Sequence, residues 1–316
     1  MKELQDLITR LRERCPELEL RENEPMSRHT SFRVGGPVSL MALPKSEEEA
    51  HRLVTVAVRE FGIPPFFMGN GTNLLVADQG LDLLVVKTVG LNYLALTKKG
   101  EWPDRRTILA GSGVSLARLS SFALENGLTG LEFAHGIPGS VGGGVYMNAG
   151  AYGGELGQVV SSAATLSFAE QPPRPRDGSG FSYRHSVYQD QPDTLILRAS
   201  FSLYPGDPKI IKTAMEDFDA SRREKQPLDQ PSAGSTFKRP APVDGQPVYA
   251  AALIEQCGLK GLTVGGAQVS EKHAGFIVNK GGATAADILA LMEQVRQRVL
   301  DQTGVALEPE VRIVGV

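Results

Sequence analysis

The stretch LEFAHGIPGSVGGGVYMNAGAYGG at residues 131–154 holds eight of the chain's 35 glycines and predicts a ligand-binding loop. It turns at Pro138 and has too little side-chain volume to fill a core. Glycine reaches positive φ and lets backbone N–H groups approach a ligand without a Cβ in the way. The favoured ligand is an anion such as a diphosphate, bound where the loop enters a helix. The alternative is a series of tight turns that join strands.

A second glycine-containing loop, GNGTN at residues 69–73, stands between the apolar runs PFFM and LLVA. A strand, a glycine loop and a second strand again form an arrangement in which backbone donors can face a phosphate. A hairpin with a tight turn gives the same local pattern. The loop by itself therefore leaves both interpretations open.

Helices and strands alternate along the rest of the chain. Capping boxes at Ser46 with Glu49 and at Thr284 with Asp287 predict the first turns of two helices. Apolar residues at helical or alternating spacing predict the remaining elements. Residues 226–247 are rich in Pro and Gly, which predicts a loop.

Composition limits the class of protein. The chain has 316 residues, 41% apolar and 22% charged, which is ordinary for a globular protein of two or three domains. A net charge of −3 gives no electrostatic reason to expect a nucleic-acid partner. Cys15 and Cys257 lack metal-ligand spacing and indicate a reducing compartment, so we expect a cytoplasmic protein. No apolar run approaches the about 18 residues that a membrane helix needs, so we expect no membrane insertion.

Several motifs together resemble one enzyme family. The string GIPGSVGGGVYMNAGAYG resembles the flavin-binding loop of the UDP-N-acetylenolpyruvoylglucosamine reductases, the MurB family of peptidoglycan synthesis. TSFRVGG at 30–36 is similar to the family's entry into its flavin domain, and YRHS at 183–186 matches its Y-R-x-S motif. AGSTFK at 233–238 and PEVRIVG at 309–315 resemble the family's catalytic serine and glutamate motifs. The motifs occur in family order.

The resemblance implies a fold and a reaction. The fold is α+β: a lead-in helix at 1–29, an FAD-binding fold of the vanillyl-alcohol-oxidase/PCMH type with two subdomains at 30–205, and a smaller α+β substrate domain at 206–316. The implied enzyme is a monomer that binds no metal. It uses FAD and NADPH to reduce the enolpyruvyl group of UDP-N-acetylglucosamine enolpyruvate to UDP-N-acetylmuramate, a peptidoglycan precursor.

The resemblance also assigns residues to the cofactor and the substrate. Those assigned to the FAD are Gly69, Asn70, Gly71, Thr72, Asn73, Gly136, Pro138, Gly139, Ser140, Gly142, Gly143, Asn148, Ala149 and Gly150. Those assigned to the UDP-sugar substrate are Tyr183, Arg184, Lys225 and Lys238. Related flavin folds can attach the flavin to a histidine, but this family does not. We therefore expect noncovalent FAD beside His135.

The implied catalytic residues are Ser235, Arg184 and Glu310. Hydride addition to the vinyl carbon places negative charge on the α carbon and the carboxylate, which the fork of an arginine suits. Ser235 is the implied proton donor, Lys238 or Lys225 could stabilise the resulting alkoxide, and a protonated Glu310 would assist. Taken singly, the arginine could be a solvated charge, the serine a turn residue and the glutamate half of a surface ion pair.

The sequence departs from one subclass of the family. Only SVYQDQPDTL at 186–195 follows the arginine before the next strand, which is too short for that subclass's tyrosine loop. The chain is therefore similar to the shorter subclass, Tyr188 is not the loop tyrosine, and Arg239 stands where the first subclass has asparagine. The alternatives are another PCMH-type flavoprotein, such as a sugar or alcohol oxidase, and a noncatalytic flavin- or nucleotide-binding module. Neither accounts for AGSTFK and PEVRIVG.

Overall fold

The chain divides into two compact units. A computed structural model describes residues 2–97, 104–168, 180–191, 193–242 and 245–315. Unit 1 comprises Met1–Glu22, Leu40–Asn70 and Leu83–Ser221, and unit 2 comprises Asn23–Ser39, Gly71–Asp82 and Arg222–Val316. The sequence-based domains, 1–29, 30–205 and 206–316, divide the chain by motif and remain a prediction.

The elements follow one another in mixed order. The helices are α1 (Lys2–Arg14), α2 (Glu47–Thr55), α3 (Leu116–Glu125), α4 (Val141–Met147), α5 (Pro208–Lys225), α6 (Ala250–Gln256) and α7 (Ala285–Thr303). The strands are β1 (Glu19–Pro25), β2 (Pro37–Leu43), β3 (Phe66–Met68), β4 (Leu74–Val76), β5 (Leu81–Lys87), β6 (Leu94–Leu96), β7 (Arg106–Gly111), β8 (Leu128–Thr129), β9 (Gly150–Ala151), β10 (Gly154–Glu155), β11 (Val160–Ser167), β12 (Phe181–Ser182), β13 (His185–Ser186), β14 (Thr194–Pro205), β15 (Ser232–Ser235), β16 (Thr263–Val264), β17 (Ala267–Val269), β18 (Phe276–Asn279) and β19 (Arg312–Val314).

Both sequence-based helix starts are confirmed. The hydroxyl of Thr284 accepts the N–H of Asp287 at 3.0 Å, and the Asp287 carboxylate accepts the N–H of Thr284 at 2.9 Å, which completes the capping box of α7. At α2 the hydroxyl of Ser46 accepts the N–H of Glu49 at 3.1 Å. The Glu49 carboxylate accepts the backbone N–H of Lys45 and not that of Ser46, so the helix start is as predicted but the capping box there is not complete. These contacts pair N–H groups that a helix start otherwise leaves unpaired.

Unit 1 contains a sheet of order β1-β2-β5-β3, apart from strand ends assigned to unit 2, and a five-stranded sheet of order β11-β14-β7-β6 in which β8 also pairs with β14. Helices α3 and α4 share a core with the five-stranded sheet. Burial in β14 alternates only in part, because the strand contributes to two hydrophobic clusters, with Ile196 and Phe201 in one and Leu195 in the other. The glycine-rich stretch 131–154 therefore runs beside a rigid core, which can hold a loop in a fixed shape.

Unit 2 contains an antiparallel sheet of order β15-β18-β17-β16 and a parallel pair of β19 with β4. Helices α6 and α7 pack on it and supply much of its core. The prediction of an unbroken loop over residues 226–247 is wrong at β15, which pairs with β18. The sequence of β15 is SAGS, which has no apolar alternation, so the pairing partner decides its conformation.

The hairpin interpretation of residues 69–73 is also wrong. Strand β3 pairs in parallel with β5, whereas β4 pairs in parallel with β19 of another sheet. The loop therefore joins strands of two different sheets. The division between the units falls within it, after Asn70.

Candidate active site

Gly69 and Ser140 bring the two glycine loops together in unit 1. Ser140 is the N-cap of α4, and its hydroxyl accepts the N–H of Gly143 at 3.5 Å. A Cβ added to Gly69 would lie 2.1 Å from this hydroxyl oxygen. Glycine is needed at position 69 because the loops approach too closely for any side chain.

Backbone donors in the long loop fall into two groups. Among the residues that the structure describes, the N–H groups of Gly136, Gly139 and Ser140 donate to no protein acceptor. Those of Gly142 and Gly143 are already used, the first by a backbone carbonyl at 2.9 Å and the second by the Ser140 hydroxyl. Gly139 and Ser140 are consecutive, and successive unpaired N–H groups form a site for an anion. The loop fits a diphosphate such as that of FAD.

The rest of the short loop lies in unit 2. The carbonyl of Gly71 accepts from Ser31 at 3.1 Å, and the carbonyl of Asn73 accepts from Arg312 at 3.0 Å. The side-chain amide of Asn73 donates to the carbonyl of Glu310 at 3.1 Å. Within the described ranges, the N–H groups of Gly71, Thr72 and Asn73 donate to no protein acceptor. This stretch also fits a diphosphate, through its backbone, while the Asn73 side chain is occupied by the protein.

Asn148 supports the loop with its side chain. It is fully buried and adopts a left-handed φ of 46° as the C-cap of α4. Its amide nitrogen donates to the carbonyl of Ser182 at 2.8 Å, and its amide oxygen accepts the N–H of Gly157 at 2.8 Å. Both ends of the side chain are therefore engaged within the protein.

Tyr183 and Arg184 form the two-residue turn between β12 and β13. Arg184 has a φ of +54°, a conformation that a non-glycine residue adopts at an energetic cost. The side-chain amide of Gln189 donates to the carbonyls of Arg184 at 3.0 Å and Tyr146 at 2.9 Å and holds this turn. Strained backbone that neighbouring groups hold in place is a feature of functional sites.

The Arg184 side chain reaches the long glycine loop. Its guanidinium donates to the carbonyl of Gly150 at 3.0 Å and lies 5.2 Å from the ring centroid of Tyr183. Tyr183 is 42% exposed. Within unit 1, the structure therefore brings together the Y-R-x-S motif and the glycine-rich stretch through Arg184 and Gly150, which are 34 residues apart.

Ser235 and Glu310 lie on one hydrogen-bonded ladder in unit 2. Ser235 ends β15, pairs with Phe276 of β18, and is exposed. The N–H of Glu310 donates to the carbonyl of Thr236 at 2.8 Å, and Phe237 pairs with Pro309. The AGSTFK and PEVRIVG motifs are therefore directly adjacent, although 70 or more residues separate them in the sequence.

Of the two candidate lysines, Lys238 contacts Glu308, which directly precedes the PEVRIVG motif, and Lys225 lies at the end of α5. The N–H of Lys238 donates to the carbonyl of Glu308 at 2.8 Å, and the Lys238 ammonium lies 3.5 Å from the Glu308 carboxylate. Lys225 is the last residue of α5 and is exposed. The guanidinium of Arg239 lies 5.3 Å from the ring centroid of Tyr249.

Burial shifts the pKa values of His273, which is partly buried, and of Tyr188, which is fully buried. Burial lowers the pKa of His273, whose Nδ1 accepts the N–H of Gly275 at 3.1 Å beside the partner strand of Ser235. The proton of the neutral ring is therefore on Nε2. Burial raises the pKa of Tyr188 to about 12, and this tyrosine lies wholly in the core of unit 1.

Sequence reasoning did not single out Gln189 and Thr236, which hold the turn of Arg184 and the ladder of Ser235 in place. Neither residue carries a local signal, because its partners are distant in the sequence or are backbone groups.

The described residues show two further absences. None of their helices is long and apolar enough to cross a membrane. No group of three or more His, Cys, Asp and Glu side chains among them could hold a metal ion.

Comparisons with known proteins support the same interpretation. Residues 38–166 match the model of an FAD binding domain, and residues 226–314 match that of the UDP-N-acetylenolpyruvoylglucosamine reductase C-terminal domain. UDP-N-acetylenolpyruvoylglucosamine reductases of Clostridium kluyveri and Caldanaerobacter subterraneus are 46% and 44% identical to the chain. The matches cover 100% and 98% of this chain and 99% and 98% of theirs.

A solved structure agrees as well. The crystal structure of UDP-N-acetylenolpyruvylglucosamine reductase from Thermus caldophilus is 32% identical and superposes with a TM-score of 0.72. The match covers 94% of this chain and 98% of that one.

An FAD binding domain followed by a reductase domain defines a flavin-dependent oxidoreductase. The chain belongs to the UDP-N-acetylenolpyruvoylglucosamine reductase family. The expected family, the α+β fold with an FAD-binding domain, the enzyme class and the FAD cofactor are confirmed.

Proposed function

We propose that Ser235, Arg184 and Glu310 carry the chemistry of this enzyme. The enzyme reduces the enolpyruvyl group of UDP-N-acetylglucosamine enolpyruvate to give UDP-N-acetylmuramate for peptidoglycan synthesis. When bound, FAD supplies hydride transfer from NADPH to the substrate. The backbone donors of Gly136, Gly139 and Ser140 would hold the FAD diphosphate.

Arg184 binds the substrate carboxylate in this proposal. The turn fixes the start of its side chain at a left-handed φ, and its guanidinium donates to the carbonyl of Gly150. The planar fork of an arginine binds a carboxylate through two parallel hydrogen bonds. It would stabilise the negative charge that develops on the carboxylate and the α carbon.

Ser235 donates the proton that completes the reduction. The exposed Ser235 ends the strand that pairs with β18, and the N–H of Glu310 donates to the carbonyl of the next residue, Thr236. Glu310, if protonated, could support the same charge, and Lys238 or Lys225 could stabilise the alkoxide that Ser235 becomes. This adjacency of the serine and glutamate motifs is the observation that carries the proposal.

Noncovalent FAD is part of the proposal. His135 Nδ1 is enclosed by protein, and Nε2 lies 3.4 Å from the Asp219 carboxylate. A ring held in this way is poorly placed to form a bond to the flavin. Acid treatment should therefore release free FAD from the denatured chain.

The finer assignments rest on the sequence. We propose a cytoplasmic monomer of the shorter subclass that acts on a UDP sugar and does not bind nucleic acid. The fully buried Tyr188 supports the subclass assignment, since the hydroxyl of a core side chain cannot fold over a substrate.

Ser235→Ala tests the proposal, because hydride transfer from NADPH needs no proton from this residue. In stopped-flow experiments the flavin absorbance should fall at the wild-type rate when NADPH is added. Its return on addition of the UDP-sugar substrate should be slower by about 10² or more. Unchanged return would remove Ser235 from the chemistry. Equal slowing of both steps would indicate a damaged flavin site.

A further inference from the structure

Two neighbouring residues of α5 contact the two ends of the long glycine loop in unit 1. The Asp219 carboxylate lies 3.4 Å from Nε2 of His135, which directly precedes Gly136. The ring of Phe218 stacks on the ring of Tyr152, with centroids 4.5 Å apart and planes 5° from parallel. These two contacts are called the α5 clip below.

The clip encloses the part of the loop that carries the unpaired donors. Gly136, Gly139 and Ser140 lie between the two contacts along the chain. The second contact point, Tyr152, has a left-handed φ of 52° and is 41% exposed. A residue in this conformation returns to a more common one unless a partner holds it. The ring of Phe218 is such a partner.

We propose that Phe218 and Asp219 are positioning residues for FAD, which keep the loop in its binding conformation before the cofactor arrives. The inference rests on the proposed function of the loop. A loop that is ordered in the free protein binds more tightly, because binding no longer includes the cost of ordering it. The resulting gain in FAD-binding free energy cannot exceed the free energy that the two contacts of the α5 clip contribute to the free protein.

The size of the effect follows from the two contacts. A stacked aromatic pair contributes enough to change a dissociation constant about 2- to 12-fold. The Asp219–His135 contact is 27% exposed on each side and should contribute less, about 2- to 5-fold. Loss of both should raise the Kd of FAD by about 4- to 60-fold.

The test is a fluorescence titration of the apoprotein with FAD. Phe218→Leu, Asp219→Asn and the double variant should each raise the Kd, and Phe218→Tyr should restore it because the stacked ring returns. Glu216→Gln is the matched control. Glu216 lies on the same helix, and its ion pair with Lys212 is 3.7 Å long with both side chains 65% exposed. It should leave the Kd unchanged.

Urea unfolding of each apoprotein separates positioning from simple packing. Phe218 also touches the core of unit 1, so Phe218→Leu can lower stability on its own. Asp219→Asn keeps the shape of the side chain, so the Kd should rise while the free energy of unfolding falls by no more than the loss of this one contact explains. Wild-type Kd values in both Asp219→Asn and Phe218→Leu would overturn the inference and leave the flavin function intact. A wild-type apoprotein that does not bind FAD would overturn the proposed function itself.

Discussion

Replacing Asn148 should destabilise the protein through two separable effects. Its side chain makes two buried hydrogen bonds of 2.8 Å, to Ser182 and Gly157, and its φ is 46°. Asn148→Ala leaves a carbonyl and an N–H without their partners, which costs about 2–4 kcal/mol in total. Alanine in the left-handed region adds about 1 kcal/mol. We expect the free energy of unfolding to fall by about 3–5 kcal/mol.

Asn148→Gly isolates the hydrogen-bond term, because glycine adopts the left-handed conformation freely. It should be about 1 kcal/mol more stable than Asn148→Ala and still about 2–4 kcal/mol less stable than the wild type. Asn126→Ala is the control, because the Asn126 side chain makes a 2.8 Å bond to Phe122 on an exposed helix end. It should change stability by about 0.5 kcal/mol or less.

The assay is equilibrium urea unfolding of the apoproteins, followed by circular dichroism. The KM for the UDP-sugar substrate should also rise, because Ser182 directly precedes the turn of Tyr183 and Arg184. Wild-type stability in Asn148→Gly would refute the hydrogen-bond argument. A glycine variant no more stable than the alanine variant would refute the backbone argument.

Three other perturbations have clear outcomes. Arg184→Lys should lower kcat/KM about 10- to 100-fold while flavin content stays unchanged, since a lysine cannot bind a carboxylate through two parallel bonds; unchanged turnover would reduce it to a surface charge. Gly69→Ala places a Cβ 2.1 Å from the hydroxyl oxygen of Ser140, so FAD titration should show a Kd raised about tenfold or more, and adding Ser140→Ala should partly restore it. Backbone N–H donors hold the pKa of Asp287 below the ordinary 3.8. The ionised carboxylate therefore stabilises the folded protein above pH 3.8, and this contribution is lost on acidification through the lowered pKa. Asp287→Asn should lower the Tm at pH 7, and the difference in Tm between the wild type and this variant should narrow below pH 3.8. A difference in Tm that stays constant down to pH 3 would contradict the capping argument.

Local features of the fold follow from the sequence. The capping box at Thr284 and Asp287 forms because its partners are three residues apart on one turn of helix. Ser140 caps α4 for the same reason. The motifs also predict the family, because the glycine loops, YRHS, AGSTFK and PEVRIVG each carry a function in short contiguous strings.

Contacts between distant segments could not be predicted from the sequence. The motif assigns Asn148 to the flavin, but the hydrogen bonds of its side chain are made with the backbone of Ser182 and Gly157. Strand β15 has no strand pattern of its own and exists because β18 pairs with it. A backbone hydrogen bond depends on where two chain segments meet rather than on the side chains that each carries.

The sequence by itself therefore determined the family, the cofactor and the helix starts, which depend on side chains close together in the chain. The tertiary structure decided which donors remain unpaired for a ligand and which side chains support them. It placed the backbone of Glu310 against the segment that follows Ser235, and it placed Asp219 beside His135. These outcomes depend on packing between segments more than 70 residues apart, and no local pattern encodes such packing.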